Sequence, residues 1–80
     1  MLICKAVGLR ILKLCREQNI SVYKLSLLSA VPSSTLTSIL HGKSKNPGIV
    51  TIKKLCDGLE ISILEFFDDP LFENLEQEVQ

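Results

Sequence analysis

Along the first stretch of the chain, apolar residues return at Val7, Ile11, Leu14 and Cys15, that is at i, i+4, i+7 and i+8, with Arg10, Lys13, Arg16 and Glu17 between them. This spacing lays one apolar stripe along about three helical turns and predicts a helix from Ala6 to Gln18. Leu9 and Leu12 fall off the stripe and are left for an interface or for solvent. Asn19 and Ile20 break the run. Ser21 stands where an N-cap belongs, its hydroxyl placed to accept from an orphan N–H of a second, short helix reaching Leu28. Pro32 restricts Val31 to extended backbone but tolerates a helix start just after itself, so Ala30-Val31-Pro32 predicts a turn.

A third helix is expected from Ser33 to Leu40, with Leu36 and Ile39 inward and Gly42 as its left-handed stop. The polar run Lys43-Ser44-Lys45-Asn46-Pro47-Gly48 reads as a loop. Ile52, Leu55, Cys56 and Leu59 then repeat at i, i+3, i+4 and i+7, the mark of a fourth helix beginning between Gly48 and Thr51. Ser62-Ile63-Leu64-Glu65 has the form of a capping box and opens a fifth helix through Phe66 or Phe67, stopped by Asp68-Asp69-Pro70. Leu71, Phe72, Leu75 and Val79 are spaced as in a helix, which leaves the tail as a weakly docked helix or a frayed terminus. The pattern predicts a compact all-α domain over residues 1–67, with an acidic tail over 68–80 that serves as a docking or dimer-contact segment.

Composition narrows the class without changing it. A chain of 80 residues, 46% hydrophobic and 5% aromatic, is one small domain near the lower limit for a single apolar core. Collagen-like, low-complexity and all-β readings need more turn residues or more β-formers than it has. Cys4, Cys15 and Cys56 are odd in number and lack a C-x-x-C spacing, so no disulfide framework is expected. With His41 as the sole imidazole they make a poor zinc site, and no metal or cofactor is expected. Lys5 and Arg10 interrupt the apolar start, which reads as neither signal peptide nor membrane span; a cytoplasmic protein away from the membrane is expected.

The net charge of zero hides a polarity. Residues 1–56 carry all nine basic side chains against Glu17 alone, a balance of +8, and residues 57–80 carry eight acids and no Lys or Arg, a balance of −8. One end could face a polyanion while the other is held away from it, or the two could attract each other within the fold or between subunits. Arg10 is open in the same way, to an ion pair with Glu17 or another acid or to a phosphate.

The informative stretch is Val22 to Leu40, a short helix, a tight turn on small Ala30 and a second short helix, with Leu25, Val31, Leu36 and Ile39 as the apolar lock between them. From Ala30 through Gly42 (AVPSSTLTSILHG), with Lys45-Asn46-Pro47 and Thr51 to Leu59, the sequence resembles the helix-turn-helix family of phage repressors and Cro proteins, also called the Xre class, over about residues 5–67. The resemblance implies a five-helix, lambda-repressor-like domain whose third helix lies in the major groove of double-stranded DNA; the expectation built on it is a homodimeric transcriptional regulator on a pseudo-palindromic operator, a repressor by occlusion of polymerase, with activation left open. Carried over, Ser33, Ser34, Thr37 and Ser38 occupy the base-reading positions. Ser21, Val22, Thr35, Lys43, Lys45 and Asn46 match positions near phosphates. Dimer contacts are expected from Phe66, Leu71, Phe72 and Leu75, because so many apolar residues near the end of a short chain benefit from a partner surface.

The chain departs from the family in ways that bear on specificity. Hydroxyls stand where Gln or Arg is frequent, and they lack the bidentate fork worth about 1–3 kcal/mol per base pair. Glycine is usual where Ala30 stands, and Ser or Thr where Gly48 precedes the fourth helix. His41 is read as a helix-end residue that suits the dipole. Catalysis has little footing: one His, no Gly-rich phosphate loop and carboxylates gathered near the end give no nucleophile–base–orienter set, so no enzyme is expected, and no small-molecule pocket is evident. The remaining contest is between a DNA-binding regulator and a protein-interaction or antitoxin-like module that retains the fold.

Overall fold

The computed structural model describes residues 1–44 and 46–79, and the five expected helices are present in it. They are α1 (Ile3–Gln18), α2 (Val22–Ser29), α3 (Ser33–Leu40), α4 (Ile49–Leu59) and α5 (Ile63–Phe67), followed by a single 3₁₀ turn, Pro70–Phe72. No strand occurs among the described residues. The first helix begins three residues ahead of the expected Ala6, because the Leu2 carbonyl accepts from the Lys5 and Ala6 amides and Cys4 is half-buried. Among the described residues beyond the 3₁₀ turn the tail forms no helix, so the helix-like spacing of Leu75 and Val79 is not realised.

Helix ends follow the local chemistry. Asn19 and Glu60 adopt left-handed backbone (φ 55° and 59°) at the ends of α1 and α4, and in both the next amide reaches back, Ile20 to the Cys15 carbonyl and Ile61 to the Cys56 carbonyl, each at 3.0 Å. Ser62 Oγ accepts from the Glu65 amide at 3.0 Å while the Ser62 amide donates to Glu65 Oε1 at 3.4 Å, completing the expected capping box.

The core is built from the stripes read in the sequence, Val7, Ile11, Leu14 and Cys15 from α1 meeting Leu25, Leu36, Ile39, Ile52, Leu55, Cys56 and Leu59. α2 packs chiefly on α4, and α3 on α1. Burial pushes the Cys15 and Cys56 thiols up from their ordinary pKa, so both stay protonated and serve as small apolar side chains. Phe66, expected at a dimer contact, belongs to this core: none of its surface is exposed, and a side chain with no free surface has nothing to offer a partner. Phe72 is half-buried, its ring 4.8 Å from that of Phe67 and 6.1 Å from that of Phe66.

Arg10 is also internal. Its Nε donates to the Phe66 carbonyl at 2.7 Å, Nη2 to the Glu65 carbonyl at 2.8 Å and Nη1 to Asp69 Oδ2 at 3.1 Å, and Lys13 Nζ joins the same oxygen at 2.6 Å. The partner is thus Asp69, and Glu17 is not involved. The ammonium of Lys13 first, then the Leu71 amide, holds the Asp69 carboxyl below the usual carboxylate range. This knot closes the end of α5 and fastens the 3₁₀ turn onto α1.

Candidate nucleic-acid interface

The geometry of the Val22–Leu40 stretch follows from a few local choices. Ser21 caps α2 by accepting from the Lys24 amide at 3.0 Å, which leaves its own hydroxyl proton available to donate. Ala30 ends α2 in left-handed backbone (φ 58°), and Ser29 Oγ donates to the Leu25 carbonyl at 2.7 Å while accepting from the Val31 amide at 3.3 Å. Buried Val31 then fastens the turn to the core, and Pro32 opens α3. An eight-residue helix is marginal alone. Leu36 and Ile39, 0% and 2% exposed, supply the anchorage at roughly 1.5–3 kcal/mol each.

A left-handed Ala costs about 1–2 kcal/mol relative to a backbone free of Cβ strain, partly offset by the entropy that Gly loses on folding. Ala30→Gly is therefore expected to stabilise the domain by about 0.5–1 kcal/mol, seen as a melting midpoint raised by about 2–8 °C. A lowered midpoint would show that the turn is not strained.

With Leu36 and Ile39 fixed inward, Ser34, Thr37, Ser38 and His41, at i, i+3, i+4 and i+7, form the opposite face of α3, flanked by Ser33 and Thr35. All are exposed except Ser38, which is half-buried. Among the described residues none of these hydroxyls is bonded to another protein group. The serines of α2 contrast with them, since Ser26 and Ser29 donate to the Tyr23 and Leu25 carbonyls. Hydroxyls on α2 are consumed by their own backbone, whereas those on α3 keep their donors and acceptors for something outside the chain.

The surroundings are cationic and rich in N–H donors. Lys24 in the first turn of α2 and Lys43 just past α3 are exposed, as is Asn46. Gly42 (φ 73°) turns the chain so that the Lys43 and Ser44 amides donate to the Ser38 carbonyl at 2.9 and 3.1 Å, holding this corner against the end of α3. Lys45, expected at a phosphate, lies outside the described residues. Val22 is half-buried and packs on the core, so its backbone N–H, and not its side chain, remains for an anion. Two residues were undervalued in the sequence: His41, whose place on the outer face of α3 is given by its seven-residue spacing from Ser34, and Lys24 beside the Ser21 cap.

Three other cations are already committed. Arg10 and Lys13 bind Asp69, and Lys53 pairs with Asp57 one turn on. No helix among the described residues is long and apolar enough to cross a membrane.

An exposed polar helix held by a short turn against a preceding capped helix is the arrangement that enters a DNA groove. Comparison with known proteins agrees: the family model of the Cro/C1-type HTH DNA-binding domain matches residues 10–70. No curated protein and no solved structure matches the chain significantly. On the strength of that match, which spans most of the chain and includes both helices of the motif, the protein belongs to the Cro/C1-type helix-turn-helix DNA-binding family.

Proposed function

We propose that this protein is a sequence-specific transcriptional repressor that binds a pseudo-palindromic operator as a homodimer, each subunit laying α3 in the major groove one helical turn from the other. The observation that carries the reading is the row of unpaired hydroxyls on the outer face of an exposed helix within a helix-turn-helix family member. Ser33, Ser34, Thr37 and Ser38 meet base edges. Ser21, Thr35, Lys43, Lys45, Asn46 and the Val22 amide hold phosphates, with Lys24 and His41 joining them at the margin. Occupancy of the operator excludes polymerase, and the reading assigns the protein no catalytic step.

For the dimer, half-buried Leu71 and Leu75 and 83%-exposed Leu64 of α5 offer the apolar surface, with the visible edge of Phe72 beside them. Sedimentation at micromolar protein should show a dimer on DNA. Monomer alone, with and without DNA, contradicts this part.

The decisive test of DNA binding is retardation of random duplex at two salt concentrations. Affinity should fall with a log–log slope of about −0.9 per phosphate contacted. No binding even at low salt would overturn the reading in favour of an interaction module. Ser34→Ala is expected to reduce discrimination between a selected site and random duplex by up to about tenfold while sparing affinity for random DNA. Lys43→Ala should weaken both alike and lower the salt slope by about 0.9. Equal losses on both duplexes for the serine variant would remove its reading role.

A further inference from the structure

Past the 3₁₀ turn, residues 73–79 carry Glu73, Glu76 and Glu78 and no basic side chain. They do not trail into solvent. The Glu76 amide donates to the Met1 carbonyl at 3.0 Å, which turns the segment back over the start of α1. Glu76, Glu78 and Val79 thereby line one groove of about 750 Å³ together with Lys5, His41 and Gly42, the last two closing α3 and leading directly into Lys43. Glu76 pairs with the Met1 ammonium at 3.0 Å, but unlike Asp69, which is consumed by Arg10 and Lys13, Glu73 and Glu78 form no ion pair among the described residues. The anchorage is slight, since every residue of the segment except Leu75 is exposed.

We infer that residues 73–79 form an acidic strap that competes with DNA phosphates for the cationic end of α3, holding down the affinity for duplex until the duplex displaces it. The inference rests on the DNA-binding reading above and names a regulation of that same surface. Its physics is plain: carboxylates within about a Debye length of the phosphates, about 10 Å at 0.1 M salt, repel them and attract the same lysines. A strap held by one exposed backbone bond, a half-buried leucine and a partly exposed ion pair between Glu76 and the Met1 ammonium can yield to a duplex, whereas the buried Asp69 knot cannot.

The test is the triple variant Glu73→Gln, Glu76→Gln and Glu78→Gln in the full chain, which removes the charges and keeps the side-chain length and the Glu76 backbone donor. Fluorescence anisotropy with a random duplex should give a Kd lower than that of the unaltered protein by about threefold or more at ~50 mM salt, the two converging near ~300 mM as screening shortens. The melting midpoint should change by no more than a few degrees, since the only ion pair lost, Glu76 with the Met1 ammonium, is partly exposed, and this separates the effect from folding. In the unaltered protein, hydrogen exchange at the Glu76 amide should accelerate when duplex is added. Equal or weaker binding by the variant at low salt, or an exchange rate indifferent to DNA, overturns the strap while leaving DNA binding intact. If neither protein binds duplex, the DNA reading fails and the strap with it.

Discussion

Replacing Arg10 by Met is expected to cost about 3–5 kcal/mol, close to the whole stability available to a domain of this size. Methionine keeps much of the apolar stem, so the loss isolates the guanidinium. Three acceptors lose a donor at once: the carbonyls of Phe66 and Glu65 in the last turn of α5, and Asp69 Oδ2, of which Glu65 keeps the Asp68 amide and Asp69 keeps Lys13. The ends of a five-residue helix have few other partners, and the Arg10 and Asp69 side chains are only 9% and 5% exposed, so water does not readily take the place of the missing donor. Urea denaturation should show a midpoint near zero denaturant, or an unfolded protein. A loss within about 0.5 kcal/mol, the usual range for surface changes, would mean that the knot is not structural.

The same knot gives a pH dependence with a fixed sign. Asp69 has a folded-state pKa below its ordinary value, so the stability that its charge contributes is fully present above that ordinary value, about 3.9, and is lost as the pH falls through the depressed one. Asp69→Asn removes this contribution at every pH. Thermal melts taken from about pH 5 down to about pH 2 should therefore show the variant well below the unaltered protein at the upper end, with the gap closing toward the lower. A gap that widens on acidification would contradict the assignment.

Gly58→Ala is the second large effect, and here two forces oppose each other. Alanine inside a helix gains about 1 kcal/mol over glycine. At this position, however, an added Cβ would stand 3.0 Å from the Cα, Cβ and amide nitrogen of Ser29, atoms that belong mostly to backbone and cannot swing away. Overpacking of this kind costs typically about 1–3 kcal/mol, so the clash outweighs the gain and α2 must shift away from α4. Because α2 and α4 form the most extensive helix pair, and Ser29 also braces the turn into α3 through its bonds to Leu25 and Val31, the shift reaches the reading helix. Both the melting midpoint and the affinity for a selected site should fall. A variant that melts higher would show that the helices separate at no cost.

The residues explain which parts of this structure are legible in the sequence. The α1, α3 and α4 stripes are legible because a periodic apolar face has one way to be buried. Ser21 and Ser62 announce helix starts because their partners are three residues away, and Gly42 marks a stop for an equally local reason. The pairing of Arg10 with Asp69 across 59 residues is not written in any local pattern: several acids were available, and the packing of α5 on the core selects one. Phe66 shows the same limit, since a five-residue helix carrying Leu64, Phe66 and Phe67 does not say which side chain turns inward. The tail follows no periodic rule because its path is set by the contacts of Glu76 with Met1, one backbone bond and one ion pair. In the candidate interface, the hydroxyl row and its exposure follow from the spacing of Leu36 and Ile39. The availability of those hydroxyls does not, because Ser26 and Ser29 on the neighbouring helix look alike in sequence and are spent on their own backbone.

The central claim, that the outer face of α3 is the surface that meets DNA, is tested most directly by mapping backbone amide shifts in solution as a short duplex is titrated in. The account predicts that the largest changes fall on Ser33 to Ser38, on Ser21 to Lys24 and at Lys43, with the far ends of α1 and α4 nearly still. Changes centred on the outer face of α4 or on α5, with α3 unmoved at saturating duplex, would contradict it.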